Sequence, residues 1–426
     1  MNKYASIIFA AVFIAMAALL ILFDQGIIKE ADPSQTSKKP ITQPSPESTD
    51  ARTVTFVDPY TSGLKFELNF NRDGYVVTGI SGNRSPIIMV PPTYSGLPVT
   101  EIGDYAFNLN STIKYVKLPE TVTKINDYAF FGCTSLVEVV HNNSITYVGN
   151  GAFSESAINE LTVGSDSEEL FIGIGAFSDC KTLEKIVLKG NMQSLSRNAF
   201  LNCTALHDVT LPDSLETIGT AAFKECHLLN KINIPKSLKV IESEAFSECQ
   251  NISVISLPDT TTDVGNFAFR GCLSLTDFRF SASISKISTG MFSGCISLTS
   301  IGIPDNIKEI GIEAFRGTPL SRVILPKELT ELSPGIFYSC EKLKELNIPT
   351  SVTTIASLAF YGCEDLEAIF IPKNVASIAD TAFSGCTSLT NITVSSENEH
   401  FFVEDGKLVS RKNGQIIFAP QKVNKQ

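Results

Sequence analysis

Tryptophan is absent from the 426-residue chain, and histidine occurs only four times. Few residues are therefore available for general acid–base catalysis by imidazole. A sugar-binding surface built from tryptophan rings is excluded. Basic residues are also scarce, with 34 Lys and Arg against 45 Asp and Glu and a net charge of -11. A protein that binds nucleic acid normally carries a basic excess, so we expect no nucleic-acid partner. What is abundant is apolar: 43% of the residues are hydrophobic, with 28 Phe and 10 Cys.

An apolar run opens the chain. It extends for 19 residues from Ala5 to Phe23 and is interrupted only by Ser6. A helix needs about 20 residues to span a bilayer, whereas the apolar region of a cleaved signal has roughly 7–15. We interpret residues 1–23 as an N-terminal membrane anchor, with a cleaved signal peptide as the alternative. In both cases the rest of the chain is exported.

Residues 24–52 have a different composition. Pro33, Pro40, Pro44 and Pro46 lie among Ser, Thr, Gln and Lys. Such a stretch buries too little apolar surface to offset the entropy of ordering it. We interpret it as a Pro-rich linker that holds a folded body away from a membrane.

A phenylalanine recurs through most of the remaining chain every 23 residues, apart from one step of 24 and one of 22. Eleven of these thirteen phenylalanines follow an alanine. The thirteen positions are Phe107, Phe130, Phe153, Phe177, Phe200, Phe223, Phe246, Phe269, Phe292, Phe315, Phe337, Phe360 and Phe383. A fixed period of this length is the sequence signature of a repeat architecture.

The segment after each phenylalanine predicts a strand. In Leu298–Pro304 the apolar residues Ile301 and Ile303 alternate, which is typical of a short strand with one buried side. Pro304 ends the strand, because proline cannot donate to a ladder. One such unit cannot bury its own apolar side, but stacked neighbours can, and stacking would align the phenylalanines in a column. The pattern predicts a mainly β solenoid of about 13 repeats of 23 residues.

The repeat resembles the BspA-type leucine-rich repeat. The matching residues read Leu-x-x-Ile-x-Ile-Pro and then Val-x-x-Ile-Gly-x-x-Ala-Phe-x-Gly-Cys, and they recur over residues 85–395. The resemblance implies a right-handed solenoid with parallel strands. It also implies an exported, surface-displayed protein concerned with adhesion to host or microbial partners.

The residues that flank the solenoid predict β-hairpin-like caps at 53–84 and 396–426. In the first, polar and apolar residues alternate on both sides of the turn Asn71–Gly74. In the second, two turn signals occur at Glu404–Gly406 and Asn413–Gly414. Solenoids need such atypical ends to shield an open core and a sheet edge.

The ten cysteines all lie three residues after a repeat phenylalanine. They are Cys133, Cys180, Cys203, Cys226, Cys249, Cys272, Cys295, Cys340, Cys363 and Cys386. Stacked copies would keep the Cβ atoms about 4.8 Å apart, beyond the roughly 3.5–4.5 Å of most disulfides. We predict a column of buried structural thiols. Disulfides between adjacent repeats and a metal ladder are the alternatives, although no histidine accompanies the column.

No group of acid, base and nucleophile is evident. His141, His207, His227 and His400 lie in different repeats and at different places in them. Asp208 follows His207, but neighbours in a strand point to opposite faces. We therefore expect no enzymatic activity, no cofactor and no metal.

The residues eight and ten places after each repeat phenylalanine are expected to point outward. Among them we select Tyr115, Arg322, Ile324 and Phe370 as binding residues, because aromatic residues and arginine dominate interface energetics.

The leading hypothesis is a monomeric surface protein that binds protein partners on host or microbial surfaces and is attached to a membrane at residues 1–23. A surface glycan-binding module is one alternative, which the absence of tryptophan disfavours. The other is a scaffold that is accessory to an enzyme or carries an activity of its own.

Overall fold

The computed structural model describes residues 60–82, 84–141 and 143–420. Over this part of the chain the backbone winds through about 14 turns of ~23 residues, built from short strands and turns without a helix. The mainly β solenoid predicted from the phenylalanine spacing is confirmed. We call each turn of the solenoid a rung.

No helix that could cross a membrane occurs in the described residues. The anchor predicted at residues 1–23 and the linker predicted at 24–52 lie outside them.

One file of strands contains the residues eight and ten places after the repeat phenylalanines, and we call it the face. Its members pair in parallel with their neighbours over most of its length. The thirteen face strands are Ile87–Met89, Tyr115–Lys117, Glu138–Val140, Glu160–Val163, Lys185–Leu188, Asp208–Thr210, Lys231–Ile232, Val254–Ser256, Asp277–Arg279, Arg322–Ile324, Glu345–Asn347, Ala368–Ile371 and Asn391–Val394.

A second file of shorter strands, the side, precedes each phenylalanine and is also parallel. Its thirteen strands are Leu97–Ile102, Lys124–Ile125, Tyr147–Val148, Phe171–Ile172, Ser194–Leu195, Thr217–Ile218, Val240–Ile241, Asp263–Val264, Lys286–Ile287, Glu309–Ile310, Glu331–Leu332, Thr354–Ile355 and Ser377–Ile378.

Face strands pair in register, so equivalent residues of successive rungs stand side by side. Val209 points into the core, and its outward neighbour Asp208 lies between Lys185 and Lys231. The lysine Nζ atoms are 3.9 and 2.7 Å from Asp208 Oδ2. Glu160 pairs with Lys185 in the preceding rung. Four successive rungs therefore alternate in charge.

The repeat phenylalanines form one continuous interior column, as predicted. Each ring stacks nearly parallel on the next, and the centroids are 5.2 to 5.8 Å apart at every step except one. The turns that carry them are also hydrogen-bonded between rungs, as where Phe130 N donates to Ala152 O at 2.7 Å. The column is buried from Phe107 to Phe383.

The exceptional step lies between Phe269 and Phe292, whose centroids are 6.3 Å apart. Phe278 stands in a face strand where other rungs carry an aliphatic residue. Its ring makes edge-to-face contacts with both column rings, whose centroids are 5.1 and 4.8 Å away. The larger side chain widens the spacing between these two rungs.

The strand predicted in Leu298–Pro304 is wrong, since these residues form no strand. They lie in the rung that follows Phe278, where the face ladder is interrupted. Gly302 favours the loss of this strand, because glycine weakens a strand and offers no side chain to pack. Ile301 and Ile303 are only partly buried, whereas the equivalent Val323 is buried.

Both described ends of the solenoid carry antiparallel strands. At the first, Leu64–Leu68 pairs with Tyr75–Ile80 around the predicted turn, and Thr93–Tyr94 pairs with the first side strand. At the second, Phe401–Glu404, Lys407–Ser410 and Ile416–Phe418 form a three-stranded meander.

Asn398 joins this meander to the last rungs. It is buried, and its Nδ2 donates to Pro372 O at 2.8 Å and Val375 O at 3.0 Å. Its Oδ1 accepts from the backbone N–H groups of His400 and Phe401, both at 2.8 Å. One side chain thus satisfies backbone groups on both sides of the junction.

Every cysteine is a buried, free thiol. Each Sγ–H donates to the carbonyl oxygen of the phenylalanine in the preceding rung, at 3.0 to 3.3 Å. The thiols therefore pack as small apolar groups and also add a second hydrogen bond to a carbonyl that accepts from a backbone N–H. Burial raises the pKa of Cys133, Cys180, Cys295, Cys340 and Cys386 to about 12.

The interruption of the face predicts local differences in amide exchange. The N–H groups of residues 300–303 have no acceptor within the described chain, whereas Arg322–Ile324 lies in a ladder. We expect the amides of 300–303 to exchange at least about tenfold faster than those of 322–324. Native-state hydrogen exchange checks this, and Phe278→Ile should slow the exchange of 300–303. Equal protection of the two segments would contradict the interruption.

The thiol column predicts alkaline instability. A folded-state pKa of about 12 against an ordinary 9.0 means that the thiols stabilise the fold fully below pH 9. This contribution is lost as the pH rises through the folded value. Each thiol lowers the free energy of unfolding by about 1.4 kcal/mol per pH unit in this window.

Denaturant unfolding at several pH values above 9 measures this slope. The triple variant Cys203→Ala/Cys226→Ala/Cys249→Ala should have a slope shallower by about 4 kcal/mol per pH unit. Ser156→Ala/Thr318→Ala is the matched control, because these residues occupy the same column position without a titrating group. If the cysteine variant kept the wild-type slope, the thiols would not be the titrating groups.

Candidate binding site on the face

An open depression of about 340 Å³ lies on the face near its C-terminal end. It crosses four successive face strands, from Arg322–Ile324 to Asn391–Val394. Ile324 and Phe370 stand on either side of Asn347 at equivalent places in successive rungs. Both apolar side chains are exposed, Ile324 at 69% and Phe370 at 45%. Such exposure is informative because they share one depression instead of being scattered singly.

The depression exists because the rungs that form it carry outward side chains of unequal size. The inward residues Val323, Leu346 and Ile369 are buried and fix the backbone of three rungs. Outward, Ala368 stands where the two preceding rungs carry Arg322 and Glu345. The methyl group of Ala368 beside two long side chains leaves a recess that a partner's side chain can enter.

Charged groups border the depression. Arg322 Nε is 3.6 Å from Glu345 Oε2, and both side chains are more than two-thirds exposed. An exposed pair of this kind contributes only about 0–1 kcal/mol to stability, so it can rearrange on binding. Lys344 also lines the depression and is exposed. The lining therefore offers two cations and one anion on a chain whose net charge is -11.

Three of the four selected residues, Arg322, Ile324 and Phe370, line this one depression. Tyr115 does not, since it lies in the second face strand, paired with Ile87–Met89 and Glu138–Val140. The sequence could have pointed to Ala368. Its side chain is much smaller than those of Arg322 and Glu345, which occupy the same place in the two preceding rungs.

The polar lining groups were not selected from the sequence either. They are Lys344, Glu345, Asn347, Asn391 and Thr393. Lys344 precedes its strand and so falls outside the two outward places that the alternation singles out.

The residues considered for catalysis do not come together in one site. His207 is exposed whereas Asp208 is buried, and His207 Nδ1 lies 3.3 Å from Ala205 O. Burial lowers the pKa of His141, with a smaller opposing effect from its contact with the Thr162 backbone. Among the described residues, no three His, Cys, Asp or Glu side chains are grouped so as to hold a metal ion.

The comparison with protein families gives a match to the BspA type leucine rich repeat region. It covers residues 100–230, 170–299, 218–344 and 285–404, which overlap into one continuous stretch. No curated protein matches the chain.

Solved structures with the same architecture include a leucine-rich cell surface protein from Faecalibacterium prausnitzii. It is 28% identical, with 79% of this chain and 94% of that one covered and a TM-score of 0.51. A leucine-rich repeat protein from Bacteroides ovatus is 24% identical over 80% of this chain and all of that one, with a TM-score of 0.57, and supports the fold. Since the family match spans most of the chain and the rungs repeat its signature, the protein belongs to the BspA-type leucine-rich repeat family.

Proposed function

We propose that this protein is exported, displayed on the cell surface and binds protein partners through the face. The observation that carries the proposal is the depression, where Ile324 and Phe370 present apolar surface beside Arg322 and Lys344. Protein interfaces are commonly anchored by aromatic and arginine side chains in pockets from which binding excludes water. The similar protein from F. prausnitzii is described as a cell surface protein, which supports the same location.

Within this proposal the segments have separate tasks. Residues 1–23 direct export and anchor the chain, and residues 24–52 hold the solenoid away from the membrane. Tyr115 is a separate contact toward the N-terminal end of the face, reached only by a partner that extends along many rungs. The thiol column stays reduced and structural, and the solenoid acts as a monomer without enzymatic activity.

Binding to surface extracts tests the proposal. The full-length chain is immobilised, and captured protein is measured with extracts that have been treated with protease, with periodate or left untreated. We expect protease to abolish capture and periodate to leave it intact. Loss of capture after periodate alone would favour the glycan alternative.

Substitution of the anchors tests the site itself. Arg322→Ala/Ile324→Ala/Phe370→Ala should weaken capture at least tenfold, since an anchor residue contributes about 1–3 kcal/mol. The matched control is Arg270→Ala/Ile296→Ala/Phe171→Ala, which removes exposed residues of the same types outside the face. Equal binding by the two triple variants would show that the depression is not the binding site.

A further inference from the structure

The face ladder opens at the depression. Arg322–Ile324 pairs with Glu345–Asn347, and Ala368–Ile371 pairs with Asn391–Val394, but the second and third of these strands do not pair. The side strands of the same two rungs do pair. The rungs therefore part on the face alone, along the line where the depression lies.

The break leaves the N–H group of Ala368 without an acceptor in the described chain. In the next rung Asn391 N donates to Glu367 O at 3.1 Å, but the corresponding bond from Ala368 N to Lys344 O is not formed. Glu367 O and Ile371 O both accept from the next rung. Because alternate residues of a parallel strand bond to opposite neighbours, Ala368 N–H is turned toward the break.

Two side-chain donors in the lining also have no acceptor among the described residues. Asn233 and Asn347 occupy the same place in their rungs. The amide of Asn233 bonds to Leu211 N and Leu211 O at 2.7 and 2.8 Å, whereas the amide of Asn347 forms no hydrogen bond. Lys344 is exposed, and its Nζ forms no ion pair. Both Asn347 and Lys344 line the depression.

The charges of the lining favour an anionic ligand. Its one carboxylate is that of Glu345, which Arg322 already holds in an ion pair. Glu367 stands next to the depression in sequence but does not line it. Three donors without acceptors, beside a carboxylate that is already paired, suit a carboxylate oxygen from outside.

We infer that the depression selects a partner segment in which an acidic side chain lies between apolar ones. The inference rests on the proposed function and adds the chemistry of the partner. The carboxylate would enter the recess over Ala368 and accept from Ala368 N, Asn347 Nδ2 and Lys344 Nζ. The apolar neighbours would pack on Ile324 and Phe370, which favours a polypeptide over a free anion.

Fluorescence anisotropy on the full-length chain tests this preference. Three labelled peptides are compared that are alike except for a central glutamate, glutamine or lysine between two leucines. We expect the glutamate peptide to bind about fivefold more tightly than the glutamine peptide, the upper range for an exposed charge pair. The net charge of -11 opposes an acidic segment, so overall attraction cannot produce this result.

Three variants locate the preference. Lys344→Gln should reduce it to about twofold or less. Lys327→Gln is the matched control and should keep it, because Lys327 is exposed, forms no ion pair in the described chain and does not line the depression. Ala368→Gln should abolish it by filling the recess. This variant should fold, because the two preceding rungs carry Arg322 and Glu345 at the same place.

Equal binding of the glutamate and glutamine peptides, or tighter binding of the lysine peptide, would overturn the inference. So would equal effects of Lys327→Gln and Lys344→Gln, or no binding of any peptide. If extract proteins were still captured in a way that needs Ile324 and Phe370, the proposed function would stand without it. A glutamate preference without capture from extracts would contradict the proposed function alone.

Discussion

Backbone hydrogen bonding between successive rungs sets the distance on which the rest of the molecule depends. Parallel strands hold neighbouring backbones about 4.8 Å apart, and the flat rings of the phenylalanine column are packed at 5.2 to 5.8 Å in all but one step. Centroid separations of this size are ordinary for offset, parallel aromatic rings. The thiols fill the adjacent turn of each rung. Their S–H donors give the phenylalanine carbonyl a second hydrogen bond, beside the one from the backbone N–H three residues further on.

The repeated part of the structure could be predicted because the same constraint acts on every rung. A residue that faces the core recurs with the period of the rung, so the phenylalanine column and the outward places were evident in the sequence. What escaped prediction occurs once. The strand predicted in Leu298–Pro304 is absent in the rung that follows Phe278, which carries a ring where an aliphatic side chain is usual. Asn398 joins the C-terminal strands to the last rungs through four hydrogen bonds, and no periodicity marks it.

The candidate site was predictable only in part, for a similar reason. Alternation identified which residues point outward, and exposed Arg322, Ile324 and Phe370 share one depression. Their grouping depends on Ala368, whose importance lies in being smaller than its neighbours. Stacking of the rungs fixes which residues can occupy the interior. The residues that determine binding are therefore single surface residues that differ from the rest of the repeat.

The alternation of charge from Glu160 through Lys185 and Asp208 to Lys231 has a consequence for how such an array changes its length. Gain or loss of one rung within this stretch would set two like charges at adjacent sites in register, which is destabilising across a ladder. Gain or loss of two rungs would preserve opposite neighbours throughout. In this part of the solenoid, duplication and deletion in pairs are therefore the changes that the fold tolerates most readily.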